Sequence, residues 1–183
     1  MEPVIISKYV EYQDISGLAG ISVKEKGLVI DKENPVLATS VDGEVTDPTN
    51  KYHPVGNIEA KYKLFPSKLK EQDEKVPLLK TLAQHTRNFC LQITASKLTK
   101  KKHSYYIQVQ GDKAITRQSL SDFVVYTTFM DHEDIHIDNT LTQHSGKDNR
   151  KLLDFYFYAM VPELLTGLVK RGIPMYPKIF SYK

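Results

Sequence analysis

Two carboxylates, one lysine and the peptide between them are the residues most able to do chemistry in this 183-residue chain. Asp42 sits in Ser40-Val41-Asp42-Gly43, and Glu59-Ala60-Lys61 follows seventeen residues later. On a strand, Glu59 and Lys61 project to one face while Ala60 points into the core. Asp42, Glu59 and a backbone carbonyl are hard oxygen donors of the kind that suit magnesium or manganese. A lysine beside them can stabilise negative charge developing on a phosphate or orient a metal-bound water. The triplet alone is also what an exposed ion pair looks like, worth about 1 kcal/mol at most. The two readings are separated by whether Asp42 comes from a neighbouring strand.

The elements that must position these residues read as follows. Residues 3–13 predict a short helix, with Pro3 in its first turn and Val4, Ile5, Tyr9 and Tyr12 near helical spacing; Gly17 and Gly20 end it. Strand signals follow at Ile21–Lys24, Gly27–Ile30 and Ala38–Val45, the last broken by the Asp42-Gly43 turn pair. Val55–Tyr62 predicts a strand with Ile58 on one face and Asn57, Glu59 and Lys61 on the other. Pro77–His85 predicts a helix, Phe89–Ile93 a strand, and His103–Ala114 a helix rich in Tyr and Gln. Asp122–Thr128 is the clearest strand, and Ile135–Asp138 pairs with it. Lys147–Met160 predicts an amphipathic helix that buries Leu152, Phe155, Tyr156 and Ala159, with Pro162 opening a second helical segment toward Val169. Helices alternating with strands predict an α/β fold, a mixed sheet flanked by helices.

Composition sets the outer bounds. Twenty-five Lys+Arg against 22 Asp+Glu give a formal net charge of +3, which excludes a cationic tail protein and an acidic disordered one. The total hides a gradient. Residues 1–60 carry 5 basic and 10 acidic side chains, a net of −5; residues 61–102 carry 11 and 3, a net of +8; the remainder is neutral. The basic block ends in Lys97, Lys100, Lys101 and Lys102, a candidate surface for a polyanion beside the acidic segment that holds Asp42 and Glu59. The single cysteine, Cys90, excludes a disulfide framework and reads as buried and inert. No apolar run is long enough for a membrane helix and no secretory leader is evident, which predicts a nuclear or cytoplasmic protein with no membrane partner.

Several motifs, in order, carry a resemblance. The segment from Gly27 through an apolar strand and Pro35 to Ser40-Val41-Asp42-Gly43 resembles the "glycine, strand, proline, Ser-Pro-Asp-Gly" segment of YqaJ-type viral recombinase domains. These are relatives of phage lambda exonuclease in the PD-(D/E)xK nuclease superfamily, whose core is restriction-endonuclease-like. Asn57-Ile58-Glu59-Ala60-Lys61 is similar to that family's Glu-Ile-Lys strand. His103-Ser-Tyr-Tyr-Ile-Gln-Val-Gln-Gly111 resembles its "His-x-Tyr-Tyr-x-Gln-Val-Gln-Gly" helix. Ser121–Tyr126 resembles the strand that follows, and Asp154–Glu163 its closing helix.

The resemblance implies a Mg2+- or Mn2+-dependent deoxyribonuclease of the exonuclease or recombinase type, acting in DNA recombination, repair or the processing of viral or mobile DNA. Asp42, Glu59 and the carbonyl of Ala60 would hold the metal, with Glu2 a further acidic ligand. Lys61 would be the catalytic lysine. Gln108 would sit by the attacking water or the scissile phosphate, with Tyr105 one turn back on the DNA side together with Lys97, Lys100, Lys101 and Lys102. The chain departs from the family in having Val41 for the proline and Tyr62-Lys63 for the usual Cys-Pro. It is also expected to lack the family's N-terminal segment: one domain over 1–183, core about 2–140 and C-terminal helices about 147–170. The alternatives are a catalytically inactive DNA-binding remnant and a protein-interaction domain; a homo-oligomer or further domains of a longer parent are compatible with each.

Other clusters read as structural. His132, Glu133, Asp134, His136 and Asp138 alternate as a half-solvated sheet edge rather than a metal site. His103 reads as a helix cap. The aromatic run Phe155–Tyr158 reads as core, with Tyr158 a candidate contact for bases.

Overall fold

The computed structural model describes residues 1–69, 76–92, 103–141, 150 and 153–162. Helix α1 spans Glu2–Ile15, opening on Glu2 and Pro3 as the sequence predicts. The turn after it needs the left-handed backbone region at Gly17 (φ 86°) and Gly20 (φ 87°), a region open to glycine at no steric cost. Strands β1 (Ser22–Lys24), β2 (Leu28–Ile30), β3 (Ala38–Ser40), β4 (Gly43–Thr46) and β5 (Val55–Tyr62) follow. Then come a 3-10 turn at Ser67–Leu69, helix α2 (Leu78–His85), helix α3 (Ser104–Thr116) and the long strands β6 (Leu120–Phe129) and β7 (His132–Leu141).

The main sheet has the order β1-β4-β5-β6-β7. All neighbours pair antiparallel except β5 and β6, which run parallel from Asn57↔Ser121 to Tyr62↔Tyr126. A parallel pair needs a long crossover, and the segment carrying α2 and α3 supplies it. Side chains alternate across the sheet, so two cores form. On one face Ile58, Ala60, Val124 and Tyr126 pack with Ile5 and Tyr9 of α1, and with Ile21 and Val45. On the other, Phe123 and Val125 pack with Leu79 and Leu82 of α2, Val109 of α3, and Phe65, Phe89, Cys90 and Leu91. The two central strands are therefore covered on both sides, and every residue from Gly56 to Ala60 is buried. The fold is a mixed α/β architecture, a five-stranded mixed sheet flanked by helices.

Three expectations are corrected. Ala38–Val45 is not one interrupted strand: β3 pairs with β2 in a separate two-stranded ribbon (Leu28↔Ser40 to Ile30↔Ala38), while β4 joins the main sheet. Val41 and Asp42 carry the chain from one to the other. Phe89–Leu91 is buried but forms no strand; only Leu91 makes an isolated bridge, because a short apolar run signals burial and not a particular backbone conformation. Residues 153–162 are helical, with a π-helical turn at Tyr156–Met160. Among the described residues Ala159 is buried there, but Phe155, Phe157 and Tyr158 are 38 %, 55 % and 69 % exposed, so the aromatic run is not core. The rest of the expected 147–170 region lies outside the described residues.

Candidate active site

Asp42 reaches the site because β4 stops short. The β4–β5 ladder ends at Gly43↔Ile58, so the next amide of β5 on that edge, Ala60 N–H, has no strand partner in β4. It donates to Oδ2 of Asp42 at 2.7 Å. In a strand the N–H and C=O of one residue point to the same edge, which puts the Ala60 carbonyl beside Asp42. The residue after Asp42 must be small. A Cβ at Gly43 would come within 2.7 Å of Val23 Cγ1 and 3.1 Å of Ile58 Cγ2.

Glu59 and Lys61 share the face of β5 that α3 covers. Lys61 Nζ donates to Glu59 Oε1, and Gln108 Nε2 from α3 donates to the same oxygen at 2.6 Å. Gln108 is placed there by α3, which starts where the sequence predicts: His103 Nδ1 accepts the Tyr105 N–H as the helix cap. Glu59 is only 1 % exposed. Burial pushes its carboxyl up to about 7; Lys61 opposes the shift, and the charges on Asp42 and Asp112 add to it. Burial pulls the other way on the Lys61 ammonium, but the bond to Glu59 and the negative charges around it hold it above the ordinary lysine range.

Glu59 Oε2 is buried with no hydrogen-bond partner. A buried, unpaired carboxylate oxygen is costly, and a hard cation is the kind of partner that removes the cost. Among the described residues no three His, Cys, Asp or Glu side chains already converge as ligands. The donor set that fits a magnesium-sized ion is two carboxylates and a peptide carbonyl: Asp42, Glu59 and Ala60.

A cationic, aromatic wall adjoins this set. Lys63 Nζ donates to Tyr105 Oη at 2.9 Å and lies 4.5 Å from the centre of its ring. Lys61 Nζ lies 5.3 Å from the same ring, within cation–π range. The remaining predicted DNA contacts, Lys97, Lys100, Lys101 and Lys102, lie outside the described residues.

Asp42, Glu59, Ala60, Lys61, Gln108 and Tyr105 are thus brought together. Glu2 is exposed at the start of α1, whose buried Ile5 and Tyr9 pack on the opposite face of the sheet from Glu59 and Lys61, and no contact ties it to these residues among the interactions described. The acid–histidine cluster on β7 has other employment. Glu133 accepts from Tyr126 and Lys8, and Asp134 accepts the Leu79 N–H at the start of α2, 2.8 Å. Sequence reasoning missed Asp112, Thr39 and Lys63. The signal for Asp112 was its spacing of four from Gln108, which sets both on one face of a helix.

No family model matches the chain, and no curated protein matches it. Among solved structures, the crystal structure of an alkaline exonuclease (LHK-Exo) from Laribacter hongkongensis is similar, with a TM-score of 0.45 and 19 % identity over 88 % of this chain. The match spans 66 % of the exonuclease chain.

Proposed function

We propose that this domain is a metal-dependent DNA nuclease that hydrolyses phosphodiester bonds, of the exonuclease or recombinase type. The observation that supports it best is the convergence on Glu59. Lys61 and Gln108 both donate to its Oε1, while Asp42 is tied to the peptide between Glu59 and Lys61. Residues separated by up to 66 positions form one hydrogen-bonded unit, which an incidental surface ion pair does not require.

Asp42, Glu59 and the Ala60 carbonyl would hold Mg2+ or Mn2+. When bound, such an ion activates water at neutral pH and offsets charge on the phosphate. The chain's own residues do the rest. Gln108 and Lys61 fix the Glu59 carboxylate through Oε1, which leaves Oε2 as the oxygen that would hold the ion. Lys61, sharing its proton charge between Glu59 and a phosphate oxygen, stabilises the charge that grows as the phosphodiester is attacked. Lys63 and Tyr105 are placed to contact the DNA backbone and orient it. Among the described residues no helix is long and apolar enough to cross a membrane.

The test is degradation of linear and circular DNA with magnesium. Loss of activity in Asp42→Ala, Glu59→Ala and Lys61→Ala, with folding preserved, is the expected result; unchanged activity in those variants overturns it. Salt-sensitive DNA binding with no cleavage by the unsubstituted protein would establish the non-catalytic binding module instead.

A further inference from the structure

Asp112 lies one helical turn after Gln108 on α3 and is 4 % exposed. Its Oδ1 accepts the hydroxyl of Thr39, on β3 of the two-stranded ribbon. Its Oδ2 is buried and has no hydrogen-bond partner. Asp112 shares the helix face of Gln108, which donates to Glu59; its carboxyl acts electrostatically on Glu59, and Lys61 and Asp42 act on it. Two buried acceptor oxygens thus have nothing to accept, Glu59 Oε2 from the sheet and Asp112 Oδ2 from the helix turn next to Gln108, which itself donates to Glu59. The three carboxylates Asp42, Glu59 and Asp112 act electrostatically on one another and on Lys61.

Satisfied carboxylates do not leave buried oxygens unpaired. The surplus of negative charge is the arrangement that a divalent cation with its own water shell would complete, since hydrated magnesium keeps several waters that need acceptors of their own. Among the described residues no three His, Cys, Asp or Glu side chains converge as ligands, which argues against Asp112 as a direct ligand. It suits a carboxylate that meets the water of the ion.

We propose that Asp112 is a cation-positioning residue of this site, an outer-sphere carboxylate oriented by Thr39, which makes the β2–β3 ribbon part of the cation-binding apparatus. The inference rests on the metal-dependent reading of the site given above. Residues that hold a metal's immediate partners commonly account for about 10- to 100-fold in metal affinity.

The experiment is Mn2+ binding to the full chain, by isothermal titration and by water-proton relaxation. It compares the unsubstituted protein with Asp112→Asn, Thr39→Val and Glu59→Gln, each checked for folding by circular dichroism. Asp112→Asn is expected to weaken Mn2+ about tenfold and to change the relaxation enhancement per bound ion, since the ion's waters lose an acceptor. Thr39→Val, which keeps the carboxylate but frees it, should weaken binding by a smaller factor. Glu59→Gln should abolish binding. If Asp112→Asn and Thr39→Val bind Mn2+ as the unsubstituted protein does while Glu59→Gln does not, the role of Asp112 is wrong and the metal-dependent reading stands. If the unsubstituted protein binds no Mn2+, both fall.

Discussion

The amide of Ala60 donates to the carboxylate of Asp42, 2.7 Å away, at the point where the β4–β5 ladder has run out. A side chain replaces a strand as hydrogen-bond partner. The same contact fixes the acid next to the peptide carbonyl with which it would share an ion. It also separates two roles of Asp42, accepting a hydrogen bond and carrying a charge, and substitutions can take these apart.

Asp42→Asn keeps an oxygen that can accept the Ala60 N–H and loses the charge. Its melting temperature without divalent ions should stay within about 2 °C of the unsubstituted protein, a surface-like change of a few tenths of a kcal/mol. Added Mg2+ or Mn2+ should raise the melting temperature of the unsubstituted protein, by about 2.7 kcal/mol of stability at a hundredfold excess over Kd, and should leave Asp42→Asn unmoved. Equal stabilisation of both would remove Asp42 from the cation site.

Glu59 gives the pH dependence its sign. Its folded pKa, about 7, lies above the ordinary 4.5 because burial favours the neutral acid. The folded form therefore binds the proton more tightly, and this contribution is fully present below pH 4.5 and lost as pH rises through about 7. In metal-free buffer the stability of Glu59→Gln relative to the unsubstituted protein should rise between about pH 4.5 and 7, by at most about 1.4 kcal/mol per unit, then level off. Denaturant melts at half-unit intervals measure it; a pH-independent difference contradicts it.

Gln108→Leu keeps volume and removes a donor from Glu59 Oε1. Losing a hydrogen bond to the charged form raises the carboxyl further. Cleavage should slow about 10- to 100-fold, with the acid limb of the pH–rate profile displaced to higher pH. A slower enzyme with an unmoved acid limb would mean that Gln108 serves the substrate and not Glu59.

Lys63→Ala removes a cation that sits against Tyr105 beside the site. If Lys63 meets a phosphate, the slope of log affinity for DNA against log salt falls by about 1, and affinity at low salt drops several-fold. Filter binding or anisotropy across a salt series reads both. An unchanged slope places the DNA elsewhere.

Gly43→Ala tests the approach of β1 and β5 around the residue that follows Asp42. Its methyl would meet Val23 at 2.7 Å and the backbone oxygen of Lys24 at 3.2 Å. Overpacking of this kind costs about 1–3 kcal/mol, readable by urea denaturation, and a shift of the preceding carboxylate should weaken Mn2+ binding as well.

Much of the frame was legible because the patterns that produce it are local. Pro3 and the two glycines mark α1, and the apolar run of β6 reads as the clearest strand. Glu59 and Lys61 could be assigned to one face from the strand period alone. What covers that face could not. Alternation sets Asn57, Glu59 and Lys61 apart from Ile58 as it would on a solvated surface, and only the crossover that lays α3 over them makes Glu59 a buried acid. Asp42-Gly43 announces a turn without saying that the chain changes sheets there. Asp112, a single acid inside a helix, has no periodic partner except Gln108, and its meaning depends on Thr39, 73 residues earlier. The aromatic run at 155–158 misled because aromatic content measures what a segment would gain from burial, not whether a neighbour covers it.

The parallel pairing of β5 with β6 in the main sheet dictates an order of assembly. β5 can join β4 as soon as both exist, since a short connection separates them. Its other edge has no partner until the strand that begins at Leu120 has been made, and Gln108 and Asp112 arrive on the same late stretch of chain. Contacts closed over so long a loop form slowly. During synthesis the acidic half of the site therefore exists before α3 and its glutamine do. A chain interrupted in that interval would carry Asp42, Glu59 and Lys61 with one edge of β5 unpaired and its site face uncovered.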